Sequence, residues 1–123
     1  MKMTVGEMRQ GIPALGNTLM AGDMGEMAAA VVTAQAGADL RPVLSQLPSG
    51  ACPVPHWGYV VSGALNIGYQ DGRTETVGGG ELFYMEPGHA VWVDEDTKYV
   101  DFSPRDDMNS LLKDVNKIVE SGS

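Results

Sequence analysis

Along this chain, short runs of apolar and β-branched residues alternate with turn formers. Ala28 to Gln35 is small and β-branched and stops at Gly37, and Trp57 to Ser62 mixes aromatic with β-branched side chains. Leu65, Ile67 and Tyr69 alternate with small or polar neighbours, the pattern of a strand with one buried face. Gln70-Asp71-Gly72-Arg73 carries the chemistry of a two-residue hairpin, and Thr74 to Val77 reads as the returning strand. Gly78-Gly79-Gly80 breaks the run. Glu81 to Met85, Ala90 to Val93 and Lys98 to Phe102 continue it, with Pro87-Gly88 as a further turn. Many short strands with regular turns predict an all-β barrel or sandwich.

Helical spacing occurs only at the two ends. Thr4 and Glu7 have capping-box spacing, but Gly11 and Pro13 stop any helix early. Near the other end, Ser103 suits an N-cap, Pro104 the first helical position, and Asp106 completes the box. Leu111, Leu112, Val115, Ile118 and Val119 then share one face, with Lys113, Asp114 and Lys117 around the other. This predicts a C-terminal α-helix over about 103–119, docked on the chain's own sheet. The whole, 1–123, is read as one domain: an N-terminal arm to about residue 20, strands from 21 to 102, then the helix.

Charge narrows the partners. Eight Lys and Arg stand against 16 Asp and Glu, a formal charge of −8, with no local basic cluster. Such a field repels phosphate backbones, so neither nucleic acid nor an anionic membrane is expected as a partner. No apolar run approaches signal-peptide or membrane-spanning length, and the single cysteine cannot form an internal disulfide. A cytoplasmic location is the expectation. There is no serine elbow, no lysine after the glycine triplet to make a phosphate loop, and no ligand spacing for calcium at Asp94-Glu95-Asp96.

Chemistry concentrates in residues 52–91, which hold the only cysteine and both histidines: Cys52, His56 and His89. The stretch from His56 through Gly63 and the stretch from Gly80 through Pro87-Gly88 resemble the two motifs of the cupin superfamily, separated by residues 64–79. Within that superfamily the chain resembles small single-domain bacterial cupins carrying PHWGYV followed by PPGH, here Glu86-Pro87-Gly88-His89. The resemblance implies a jelly-roll barrel, the double-stranded β-helix. It also locates a departure. His56 stands where the superfamily has a glutamate, Cys52 and Gly50 where it has histidines, and Val91 at the second-motif histidine, with His89 two residues earlier.

If the family's inward parity holds, Cys52 and His56 point into the barrel, and His89 shares parity with Val91. One thiolate and two imidazoles suit a divalent ion such as zinc, with a fourth position left for water or substrate. Each residue also has a plainer reading: Cys52 as a small buried hydrophobe, His56 as a hydrogen-bonded interior side chain, His89 as a turn residue. Three functions follow. The first is a small-molecule binder with its ligand held by His56, Tyr59, Met85, His89 and Val91. The second is a metal enzyme using Cys52, His56 and His89, and the third is a protein-interaction or sensor module. A homodimer is expected, because Trp92 should lie outside the barrel and need cover.

Overall fold

The computed structural model describes residues 1–14 and 17–121, with residues 12–14 in backbone only. Positions 15 and 16 of the expected arm and 122–123 of the tail lie outside the described residues. A 3-10 turn at Val5–Glu7 leads into β1 (Arg9–Ala14), β2 (Asn17–Met24) and β3 (Met27–Ala34). After the short helix α1 (Arg41–Leu44) come β4 (His56–Ser62), β5 (Ala64–Tyr69), β6 (Thr74–Gly78), β7 (Leu82–Met85), β8 (His89–Trp92) and β9 (Thr97–Pro104). Helix α2 (Arg105–Glu120) ends the described chain.

The strands form two antiparallel sheets. One has six strands in the order β1-β2-β3-β9-β4-β7, the other three in the order β6-β5-β8. The expected barrel is therefore present as two facing sheets that do not close on each other. Beyond β8 the described chain adds only the isolated bridges Asp39 to Trp92 and Cys52 to His89. At the other side the glycine triplet separates β6 from β7.

Turns set the register. Tyr69 N donates to Arg73 O at 2.9 Å, so the hairpin loop has three residues, Gln70, Asp71 and Gly72, where two were expected. Gly72 sits at φ 94°, the left-handed position that closes such a loop and that glycine enters without steric cost. At Gly63, φ is 84°, and a Cβ would collide with the Asp96 carbonyl and Thr97. That glycine lets the β4–β5 turn lie against the start of β9.

Alternation decides what reaches the interior. On β9, Thr97, Tyr99, Asp101 and Ser103 are buried while Lys98 and Phe102 are exposed. On β4, His56 and Val60 face in, and Trp57, Tyr59 and Val61 face out. Leu65, Ile67, Val77, Phe83, Met85 and Val93 fill the space between the sheets. Helix α2 begins at Arg105, not 103, because Ser103 is fully buried within β9 and caps nothing. Of the predicted stripe, Leu111, Leu112 and Val115 are buried against the six-stranded sheet and α1, Ile118 and Val119 are only partly buried, and Met108 joins the buried face. Trp92 is partly covered inside its own chain: the Arg41 guanidinium lies 4.1 Å from its ring centroid.

Candidate metal centre

Both sheets and a loop supply the site. Cys52 precedes β4 in the loop and is held to the start of β8: its N–H donates to His89 O at 2.9 Å, and its carbonyl accepts from Gly88 N at 2.8 Å. This two-bond bridge fixes the thiol beside the His89 ring. His56 opens β4 in the six-stranded sheet, directly opposite Met85 of β7. His89 opens β8 in the three-stranded sheet. The two rings meet edge to face with centroids 5.0 Å apart.

The ligand atoms converge. One ligand atom each from Cys52, His56 and His89 lies within 4.8 Å of the others, and all three residues are buried. Cys52 Sγ is 3.6 Å from His56 Nε2. The far nitrogen of each ring is engaged: His89 Nδ1–H donates to the Glu86 carbonyl at 2.7 Å, and His56 Nδ1 contacts Ser103 Oγ. A carbonyl can only accept, so His89 Nε2 keeps its lone pair free for the cluster.

Burial sets the protonation states. His56 is pushed down to about 3 by burial, with His89 beside it adding to the effect. Burial also holds His89 below the ordinary imidazole value. The Cys52 thiol is pushed up to about 12, chiefly by burial, which outweighs the opposing effect of the Val54 backbone. The resting site is thus a neutral thiol beside two neutral imidazoles. Burial thus disfavours a thiolate-imidazolium pair, the form that nucleophilic cysteine chemistry uses.

The cavity they line has a volume of about 50 Å³. Met85, Val91, Tyr99 and Asp101 complete its walls, Leu44, Met108, Leu111 and Val115 line it from the two helices, and Leu40 lines it just before α1. Of the expected ligand residues, Met85, His89, Val91 and His56 come together. Tyr59 does not: it lies on the outer face of β4 and is 43% exposed. Reading it as a site residue overlooked that odd positions of β4 point away from His56. His89 is no surface turn residue, being only 2% exposed.

Asp101 and Ser103 are site residues that the sequence reading missed. Asp101 is buried and its carboxyl is raised to about 7 by desolvation. Tyr99 next to it is raised too, by burial first and then by the Asp101 charge. The signal available in the sequence was the alternation Tyr99, Asp101, Ser103, which places two polar residues on one face of a strand. Its opposite face carries Val100 and Phe102, so hydrophobicity alone points the wrong way.

Three solved structures share this backbone fold. A RmlC-like cupin from Shewanella frigidimarina NCIMB 400 superposes with a TM-score of 0.59 at 19% identity, over 80% of this chain and 86% of that one. The fold is that of the cupins. Ectoine synthase from P. lautus gives a TM-score of 0.62 at 10% identity, over 85% and 77% of the two chains. KdgF from Halomonas sp. gives 0.58 at 23% identity, over 84% and 94%. No family model matches the sequence, and no curated protein matches it. At these identities the cupin likeness carries the fold alone.

Proposed function

We propose that this cupin-fold protein holds a divalent ion of the zinc type between Cys52, His56 and His89. The observation that carries the reading is the convergence of the three donor atoms within 4.8 Å. The donor chemistry fits: one sulfur and two imidazole nitrogens suit zinc, and both rings have their far nitrogens engaged by oxygen partners. In this reading His56 Nδ1–H donates to Ser103 Oγ and Nε2 turns its lone pair to the ion. Cys52 gives up its proton on binding, since the thiolate is the ligand. The bound ion supplies Lewis acidity to whatever small group shares the cavity.

Volume favours the ion over an organic ligand. A water-sized occupant needs roughly 10–15 Å³ on this measure, so a cavity of about 50 Å³ takes an ion with a few small neighbours. Pockets for ordinary organic ligands run to about 300–1,000 Å³. A ligand spanning His56, Met85, His89 and Val91 would require the α2 face to move. A cytoplasmic setting belongs to the same reading, because the thiol must stay reduced. Among the described residues no helix is long and apolar enough to cross a membrane.

Elemental analysis of the purified protein tests the proposal, backed by zinc titration of the metal-free form. The expectation is one equivalent per chain, lost in Cys52→Ser and in His56→Ala while the circular dichroism spectrum stays that of the wild type. Cobalt(II) should give a thiolate charge-transfer band that Cys52→Ser abolishes. Failure of the folded wild type to take up zinc or cobalt would overturn the reading.

A further inference from the structure

Asp101 lies on the inward face of β9, opposite Gly58 of β4 and two positions before Ser103. It is 4% exposed and lines the same cavity as Cys52, His56 and His89. Its Oδ1 has no hydrogen-bond partner among the described residues. A buried carboxyl oxygen with an unmet acceptor is costly, and a group of that kind calls for a specific explanation.

We infer that Asp101 is the acidic partner of the metal centre, a positioning residue that balances the ion's charge and accepts a hydrogen bond from the ion's small neighbour in the cavity. The inference rests on the metal reading of the site. Charge carries the argument. Two neutral imidazoles and one thiolate leave a dication with a net charge of +1, which is expensive in a small cavity lined mostly by buried apolar side chains. The Asp101 carboxylate brings the sum to zero. Among the described residues no lysine or arginine lines this cavity, so Asp101 has no cationic side chain there to answer it.

Two features define how it acts. Asp101 is not one of the three residues whose donor atoms lie within 4.8 Å of one another, so it works across the cavity, not within that cluster. Met85, also on the wall, offers a competing fourth donor in its thioether. A thioether is neutral and content with apolar packing, and it cannot neutralise the site. The buried orphan oxygen therefore singles out Asp101.

The experiment measures zinc affinity by chelator competition for the wild type, Asp101→Asn and Met85→Leu, together with urea unfolding of each metal-free form. Asp101→Asn should bind zinc about tenfold or more weakly. Its metal-free form should be at least as stable as the wild type, since an unpaired buried acid has been removed. Its cobalt(II) thiolate band should persist, because Cys52 is untouched. A residue that merely held the fold together would lower affinity and metal-free stability in parallel, and that result overturns the inference. Wild-type affinity in Asp101→Asn overturns it too, as does a loss confined to Met85→Leu. Asp101→Ala repeats the measurement should the amide variant not fold. Absence of zinc binding by the wild type sinks the metal reading itself, and is thereby distinguished from failure of Asp101 alone.

Discussion

The Ser103 hydroxyl against His56 Nδ1 links strand register to chemistry, because β9 pairing brings a residue from the far end of the chain onto the ring. Ser103→Ala leaves the buried Nδ1 without its partner. The expected cost is about 1–3 kcal/mol in urea unfolding, with zinc affinity lowered roughly tenfold or more. Unchanged affinity would show that the hydroxyl does not orient the ring. Asp101 and His56 give a pH signature in the metal-free protein. Asp101 is raised from 3.8 to about 7, so the folded state keeps a proton that the unfolded chain releases. That stabilisation is complete below about 3.8, falls as pH rises, and is gone above about 7, a swing of about 4 kcal/mol. His56 has the opposite sign. Its stabilisation is present above 6.5 and is lost as pH falls towards about 3. Between these limits the two slopes oppose each other. Asp101→Asn removes one, so its stability gain over the wild type should be small at pH 4 and grow to several kcal/mol at pH 8. A gain that does not grow with pH contradicts a buried, unpaired Asp101.

At the scale of elements, α2 is the closure of the site. Leu111 is 7% exposed and lines the cavity together with Met108 and Val115 of the same helix. Leu111→Ala should cost about 2–4 kcal/mol by the usual cavity penalty, read as a lower urea midpoint. It should also speed zinc extraction by a chelator, and an unchanged rate would place the entry route elsewhere. The stripe that makes α2 docking predictable was legible, since 3.6-residue spacing survives any tertiary context. So were the central strands, whose limits differ from expectation by a residue or two, and the turn at Asp71-Gly72. The start of α2 was not: Ser103-Pro104 has good capping chemistry, but β9 pairs through to Pro104 with Met27 and draws the serine inside. The parity of β9 was hidden for a related reason. Its outward Val100 and Phe102 are more apolar than its inward Asp101 and Ser103, and only the pairing with β3 and β4 settles which face is buried. Strand β1 and the first half of β2 fall within the expected arm of about 1–20, because Gly11 and Pro13 in β1 interrupt its strand pattern. Cys52 and His56 could be placed by period two, whereas the convergence of His89 on them depends on the Cys52–His89 bridge between separate segments.

At the scale of the whole molecule, five of the eight large apolar side chains exposed among the described residues fall into one array. The register places Phe102, Trp57 and Tyr84 side by side across β9, β4 and β7, with Val100, Tyr59 and Leu82 in the next row. Trp57 stacks on Tyr84 at 5.1 Å, and five of the six, all but Val100, are 41–79% exposed. Homodimerisation was argued from Trp92, but Arg41 partly covers that ring, and this outer array is the face that lacks cover. At roughly 100 Å² for each of the five exposed side chains, it offers about 500 Å² per copy, which meets the threshold of about 1,000 Å² in total for a specific interface. A second copy is the occupant we propose, because a two-fold axis sets the array against itself and β7 ends its sheet with an unpaired edge among the described strands. Light scattering should then give twice the 13.0 kDa chain mass. Trp57→Glu should return it to one chain mass, since two carboxylates cannot be buried face to face without a partner. The same variant should take up zinc as the wild type does, because Cys52, His56 and His89 are all buried away from this outer face. A wild type that stays at one chain mass at high concentration, or a Trp57→Glu variant that still pairs, would remove this face as the contact.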